Sequence, residues 1–475
     1  MSHPNRRAVL GAFAGIGAAA LLPASSVVAA NQTRRLTVAR RTLDVLGRPA
    51  SVFGVVDEHG QPGVVLGSAE RFTLELDNRA GEATSIHWHG QTPAPELDGI
   101  SETGYVSPLA PGEVRPFDFA TRLGTHWMHS HHEMQEQSLM TAPLIVRSEA
   151  DERADLQEVV VLLNDFSFRE PAEIFAELTG GAPMDHGSMG SMDHGTMSMD
   201  MPMTAMGGMD LNDVTYDAFL TNDRTLDDPA VVRTERGGRV RLRLINGSAS
   251  TGFWIDLDGH QATAVAVDGN EVYEVDGNRF PLSQAQRLDL IIDVPAGETV
   301  PVFAIREGDR ARTGLILAAP GASVGKLASE ATNAAGPLDM AFENSLRARN
   351  GLVERPADVR HSVMLTGSMS PYSWTLDDRT WSNRRKLEVS ASQRVQLEFM
   401  NHTMMAHPMH LHGHHFQVRA VNGQALHGAM RDTVMVPSMG SVTVEFDADN
   451  PGRWLYHCHN LYHMMTGMMS ELVYV

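Results

Sequence analysis

The sequence predicts an all-β chain folded as three β-sandwich domains. Three observations point there. An alternating strand motif recurs three times at domain-length intervals. Glycine and proline are abundant, 42 and 24 of 475 residues, and leucine-rich heptads are missing. The length itself allows about three domains at roughly 150 residues each. With 42% apolar residues the chain can bury real cores, and a net charge of −20 argues against a general nucleic-acid binder.

Residues 1–30 come first. Asn5-Arg6-Arg7 precedes a weakly apolar, Ala/Gly-rich run from Ala8 to Leu22, and Val28-Ala29-Ala30 gives a small-residue cleavage pattern. This reads as a twin-arginine export signal, removed from the mature protein. At about 15 residues, and rich in glycine, the run is short for a membrane span. No other stretch is long and apolar enough, so the mature chain is expected to lack a span and to be periplasmic or otherwise exported.

The repeats follow. Arg71-Phe-Thr-Leu-Glu-Leu-Asp-Asn78, Arg239-Val-Arg-Leu-Arg-Leu-Ile-Asn246 and Arg394-Val-Gln-Leu-Glu-Phe-Met-Asn401 each alternate apolar and polar residues and end at a turn asparagine. Each is followed by a proline/glycine turn, at Pro111-Gly112, Pro295-Ala296-Gly297 and Pro437 to Gly440. Repeats of this length are domains rather than solenoid units. The expected boundaries are 35–150, 151–330 and 355–475.

The repeats differ in what they carry. The first holds His87-Trp-His89-Gly90 and His129-Ser-His131; the third holds His407-Pro-Met-His410-Leu-His412-Gly413 and His457-Cys458-His459. In the second, the matching segment is Asp256-Leu257-Asp258-Gly259, which keeps the turn glycine and lacks the imidazoles. A metal site using both sets therefore lies where the first and third domains meet. Side chains at i and i+2 of a strand share a face, so four His-X-His pairs aim eight imidazoles in matched directions. Cys458, the one cysteine, points opposite to His457 and His459. One short segment can thus hold a metal at sulfur on one side and metals at imidazole on the other, joined by a few bonds. Two His, one Cys thiolate and a weak axial Met are the donors of a blue-copper electron-transfer site, and His407, Cys458, His463 and Met468 supply them. The counts of 27 Met and 22 His suit the same metal.

The motifs HWHG, HSH, HPMHLHG and HCHNLYHMMTGMM, in this order, resemble the multicopper oxidases, in particular the bacterial laccase-like, copper-resistance and cuprous-oxidase members. The resemblance covers about residues 40–475. It implies three cupredoxin-like Greek-key sandwiches and four coppers per chain. By that resemblance His407, Cys458, His463 and Met468 hold a type 1 copper, and His87 and His410 a type 2 copper. One type 3 copper takes His89, His129 and His459, and the other His131, His412 and His457. The family oxidises a donor one electron at a time and reduces dioxygen to water at the trinuclear cluster. Ser130 stands between His129 and His131 where the third repeat has Cys458, so the first domain has no second type 1 site. Asp98 matches a family acid that helps deliver protons. Some relatives carry another acid directly after the last type 1 histidine; here that place is Met464, and the second proton route has no assigned residue.

Residues 184–209 hold nine methionines, and Met184-Asp-His-Gly-Ser-Met189 nearly repeats as Met192-Asp-His-Gly-Thr-Met197. Without core periodicity this reads as a flexible insert in the second domain. Thioethers are soft donors suited to Cu(I), so Met184, Met189, Met192, Met197, Met199, Met201 and Met203, with Met405, form a candidate Cu(I) substrate site. Met405 matches a substrate-copper methionine of cuprous oxidases, while the acid those relatives carry two residues earlier is Thr403 here. Met404, Met409, Met464, Met465 and Met469 also cluster around the motifs. His126, His132, His414, His415 and His427 fall outside the ligand pattern. The expected function is oxidation of Cu(I) or a small phenolic or amine reductant by dioxygen, serving copper tolerance. The alternative is a non-enzymatic copper-sequestration protein, which does not require Cys458 between two histidines on opposite faces. The oligomeric state is not legible.

Overall fold

The computed structural model describes residues 34–154, 156–180, 211–235 and 238–475. The expected export signal at 1–30 and the methionine-rich insert at 184–209 lie outside the described residues. The described residues are nearly all β, with 48% strand and 8% helix. Among the described residues no helix is long and apolar enough to cross a membrane.

The three alternating motifs become strands Phe72–Arg79, Arg239–Asn246 and Arg394–Asn401. Each occupies the same place in its sheet. A parallel neighbour lies on one side (Arg34–Val45, Gln157–Phe166, Val359–Met369) and an antiparallel one on the other (Val114–Phe119, Arg287–Asp293, Ser441–Asp447). The terminal asparagine does the same work three times. Asn78, Asn246 and Asn401 each accept from the backbone N–H two residues on, of Ala80, Ser248 and Thr403. Each Nδ2 then donates to one nearby and one distant carbonyl: Glu82 and Leu109, Thr251 and Leu282, Met405 and Val436. Asparagine suits this fork because its amide both accepts and donates.

A second sheet accompanies each of these. Its order also repeats, as Val64–Leu66, Thr141–Val146, Gly124–Ser130, Ile86–His87 in the first stretch. In the second stretch it is Val231–Arg233, Arg312–Ala318, Thr299–Arg306, Phe253–Asp256, Arg279–Leu282, and in the third Leu387–Val389, Met469–Tyr474, Arg453–Cys458, His407–Leu411, Thr433–Val436. The first two sheets close on one apolar core that includes Phe72, Trp88, Phe117 and Leu144. Trp88 anchors its strand there, edge-on to Phe72 at 4.7 Å and to Phe117 at 4.9 Å. Burying such a side chain contributes about 2–3 kcal/mol, and strand alternation turns His87 and His89 to the opposite side.

The glycine that follows His87-Trp-His89, Asp256-Leu-Asp258 and His410-Leu-His412 has positive φ: 88° at Gly90, 84° at Gly259 and 69° at Gly413. In the two histidine-bearing repeats space also demands glycine. A Cβ on Gly90 would lie 2.3 Å from His126 Nδ1, and one on Gly413 2.5 Å from the Trp454 ring. At Gly259 nothing lies within 4 Å.

Candidate metal centre

Strands His407–Leu411 and Arg453–Cys458 pair with Met409 opposite Cys458 and His410 opposite His457. In the first repeat His87 stands opposite His129. Residues directly across a ladder share a face, so His410 and His457 look one way and Cys458 the other. Helix Leu461–Thr466 follows. The Asn460 side chain caps it by accepting from the N–H groups of Tyr462 and His463, and Gly467, at φ 118°, ends it. This cap and stop place His463 beside Cys458.

The first donor cluster is His407, Cys458 and His463. His407 Nδ1 lies 3.1 Å from His463 Nδ1, and Cys458 Sγ lies 3.7 and 3.6 Å from these two nitrogens. The point equidistant from the three atoms is about 2 Å from each, the length of a metal–imidazole bond and slightly under a metal–thiolate bond. The outer ring nitrogens are held in place. His407 Nε2 meets the Thr403 hydroxyl at 2.8 Å, and His463 Nε2 meets Asp213 Oδ2 at 2.9 Å. Trp374 stacks on His463 with centroids 4.3 Å apart. Burial pushes the Cys458 thiol well up and lowers His407. The thiol therefore keeps its proton until a metal displaces it, whereas His407 is already a neutral ligand. Met468 is fully buried and its carbonyl accepts from the Cys458 N–H at 3.1 Å.

The second cluster gathers the other eight imidazoles. Donor atoms of His87, His89 and His410 lie within 4.8 Å of one another, as do those of His89, His129 and His459, and those of His131, His412 and His457. His89 stacks on His410 with centroids 3.8 Å apart, and His412 Nε2 is 3.1 Å from His457 Nε2. All eight rings are buried. In most of them one nitrogen is held from outside. His89 Nε2 meets Asp432 Oδ1 at 3.0 Å, His129 Nδ1 meets Glu136 Oε2 at 2.7 Å, and His410 Nδ1 donates to the Asp432 carbonyl at 2.8 Å. Asp98 faces two rings, Oδ2 lying 2.9 Å from His412 Nδ1 and Oδ1 3.2 Å from His87 Nδ1. His457 Nδ1 donates to the Cys458 carbonyl at 2.9 Å.

The inward nitrogens of His87, His89, His129, His131, His410 and His459 have no partner among the described residues. Each unpaired buried polar atom costs about 1–3 kcal/mol. Such a concentration is tolerable when the lone pairs bind a metal. Burial holds His89, His129, His410, His412 and His457 well below their ordinary values and lowers His459 to about 3, so these rings are neutral ligands. The donor set, its spacing and its protonation all fit copper.

The structure brings together His407, Cys458 and His463, and the eight imidazoles, that the sequence singled out for these clusters; Met468 is held to Cys458 through its backbone carbonyl. It also adds carboxylates that sequence reasoning missed. Asp432, Glu136, Glu102 and Asp213 contact His89, His129, His131 and His463. Asp432 is also gripped by Arg287, whose Nη1 donates at 2.8 Å and whose Nη2 contacts the other oxygen. Asp268, 3.6 Å from Arg287, connects this pair to Arg431 and thence to Glu343. Although burial opposes ionisation, Arg287 holds the Asp432 carboxyl far below the usual range. Arg287 and Asp268 belong to the middle repeat, which places no histidine in the donor clusters. A signal for Asp432 was present, since Arg431-Asp432 interrupts an apolar run; Glu136 carried none.

Ser130 donates to Gln135 Oε1 at 2.8 Å, so a side-chain amide fills the place that Cys458's cluster has in the third repeat. The remaining histidines stay outside the donor groups. His414 meets the Tyr474 hydroxyl at 2.6 Å, His415 the Gly90 carbonyl at 2.9 Å and His126 the Leu123 carbonyl at 3.1 Å, while His427 is exposed beside Glu354. Met405 is buried, and the methionines of 184–209 lie outside the described residues.

Comparison with known proteins agrees with this geometry. Three family models, each described as multicopper oxidase, match residues 37–151, 184–319 and 354–475. Multicopper oxidase MmcO of Mycobacterium tuberculosis is 30% identical over 86% of this chain and 80% of its own length. Copper resistance protein A of Escherichia coli is 25% identical over 92% of this chain and 91% of its own. Among solved structures, the laccase of Botrytis aclada matches with a TM-score of 0.73 at 22% identity, over 92% of this chain and 87% of its own. Fet3p, a multicopper oxidase that functions in iron import, matches with a TM-score of 0.74 at 17% identity, over 93% and 90%. Both share the fold.

Proposed function

Because the chain belongs to the multicopper oxidases, we propose that it takes electrons singly from Cu(I) or a small phenolic or amine donor and uses four of them to reduce dioxygen to water. Membership makes it a copper-dependent oxidoreductase with dioxygen as acceptor. His407, Cys458, His463 and Met468 would hold the type 1 copper. His87 and His410 would hold the type 2 copper. His89, His129 and His459, and His131, His412 and His457, would hold the type 3 pair. This gives four coppers in all.

One observation carries the reading: the short segment His457–His459, at the end of one strand, joins a sulfur donor in one cluster to two imidazoles in the other. Bound copper supplies one-electron redox chemistry and dioxygen binding; the chain supplies connection, orientation and protons. The His457 Nδ1–H bond to the Cys458 carbonyl gives electrons a short route from Sγ through the cysteine backbone into an imidazole. The Asn460 N–H, 3.5 Å from Sγ, supports the thiolate once its proton has left. Asp98 and Asp432 fix ring tautomers, which tunes ligand basicity. Asp98 touches rings of both the type 2 and type 3 sets and is where we place proton hand-over.

Asp213, four residues beyond Met209, sits against His463 and Asn460. This anchorage supports Cu(I) delivery from the methionine-rich segment to the Cys458 site, and with it a role in copper tolerance. We also assign 1–30 to twin-arginine export; fractionation of cells making the chain with Arg6→Lys and Arg7→Lys tests it, with retention in the cytoplasm expected. The function is tested with copper-loaded protein in an oxygen electrode, supplied with Cu(I) and separately with a phenol. Consumption of one dioxygen for every four one-electron donors oxidised supports the reading. Stable copper binding without turnover would replace it with sequestration.

A further inference from the structure

One cavity of this molecule is walled by sulfur. It measures about 520 Å3, and its lining includes Met464, Met465 and Met469 with His132, Glu133 and His131. The three methionines are 6–9% exposed, hidden from bulk water yet facing the void. Three further donors form a gradient of depth, with side-chain exposure of 63% at Glu133, 23% at His132 and 1% at His131, and Glu102, 23% exposed, also lines the cavity 3.5 Å from His131 Nδ1. The cavity thus runs from a carboxylate and an imidazole at its mouth to an imidazole of the eight-histidine cluster at its floor. His131 Nε2 has no partner among the described residues.

The face is decided by register. Met469 stands opposite His457 across the ladder, so it shares the side of the eight-histidine cluster. Met468, one residue earlier, turns to the Cys458 side. The two adjacent thioethers therefore serve different clusters. Passage of dioxygen or water requires no sulfur; branched aliphatic side chains would serve and would pack better. Three thioethers with a neighbouring imidazole are instead a soft donor set for a Cu(I)-sized ion.

We propose that this cavity is the port through which Cu(I) enters the trinuclear site during assembly. Glu133 and His132 receive the ion at the mouth, Met464, Met465 and Met469 hold it along the wall, and His131 takes it at the floor. Each transfer exchanges one ligand for another at constant oxidation state, oxygen and nitrogen for sulfur at the mouth and sulfur for nitrogen at the floor, so no electron and no co-reactant is needed. The proposal rests on the reading that the eight imidazoles hold copper.

The test uses the full-length metal-free protein under argon, with Cu(I) supplied as its acetonitrile complex. Copper retained per chain after desalting is followed in time, in the parent and in the Met464→Leu/Met465→Leu/Met469→Leu variant. X-ray absorption at one equivalent of Cu(I), in a Cys458→Ser background, reports thioether sulfur. The expected result is uptake of three of the four ions slowed at least tenfold in the triple variant, with the same final copper content and less sulfur scattering per copper than in the parent. Equal uptake rates, or no sulfur around the first ion, would overturn the port. If the triple variant does not fold, His132→Ala at the half-exposed mouth decides: uptake slowed about threefold supports the port and an unchanged rate refutes it. A parent chain that never retains more than one copper would instead overturn the trinuclear reading itself.

Discussion

Asp432→Asn removes one negative charge at the junction between the eight-histidine cluster and the middle repeat. Asp432 is buried and serves both sides, facing His89 Nε2 at 3.0 Å and bound by both Arg287 terminal nitrogens. Asparagine keeps an acceptor for the imidazole but leaves Arg287 with one anionic partner, Asp268, 3.6 Å away and already shared with Arg431 at 3.4 Å. Breaking a buried pair from one side costs about 3–5 kcal/mol. Spread over the unfolding entropy of a chain this long, that is about 3–5 °C in the calorimetric midpoint of the metal-free protein. Loss of a ligand-orienting partner should also weaken metal retention at the His89 site about 10–100-fold, read by copper content after dialysis against a chelator. The pH dependence has a definite sign. Arg287 depresses the Asp432 pKa in the folded state, so its contribution is complete above the unfolded value of about 4 and is lost as pH falls below it. The deficit of Asp432→Asn should be flat from pH 8 to 5 and shrink below about pH 4. A midpoint within 1 °C of the parent with full copper retention would refute the clamp, and a deficit that grows towards acid would refute the charge assignment.

Cys458→Ser should abolish the intense visible absorption and the oxidase activity while the other three coppers stay bound; retained donor oxidation would refute the proposed electron route. Deleting 184–209 should weaken Cu(I) turnover and leave phenol oxidation intact, and steady-state rates falling in parallel would make the segment structural. Asp98→Asn puts an amide where one carboxylate serves His412 and His87; dioxygen reduction should slow more than anaerobic reduction of the Cys458 site, and unchanged turnover would remove Asp98 from the proton route.

Much of the architecture was legible because it repeats. The motifs ending at Asn78, Asn246 and Asn401 were legible as strand and turn, and the structure adds that each asparagine closes the same fork of hydrogen bonds. The donor clusters were legible for a related reason. Strand alternation converts a spacing of two into a shared face, so His87 with His89, or His457 with His459, could be oriented without coordinates. What supports the rings was not legible. Glu136 reaches His129 from an irregular segment with no periodicity, and Asp432 meets an arginine 145 residues away. Such contacts depend on how separate sheets approach one another, and no local pattern records that. The cavity beside His131 was hidden likewise: Met464, Met465 and Met469 looked like surplus methionines near a motif until register put Met469 on the face of His457.

The middle repeat has the most to lose from being judged by its ligands. It donates no imidazole to either cluster, yet its Arg287 and Asp268 neutralise and grip the loop that orients His89 and His410. It works as a keystone: splicing the outer sandwiches together without it would strip an anionic side chain under the cluster of the guanidinium that binds both its oxygens. Shortening this protein into a two-sandwich oxidase would therefore require a replacement guanidinium at that spot before any attention to the copper ligands.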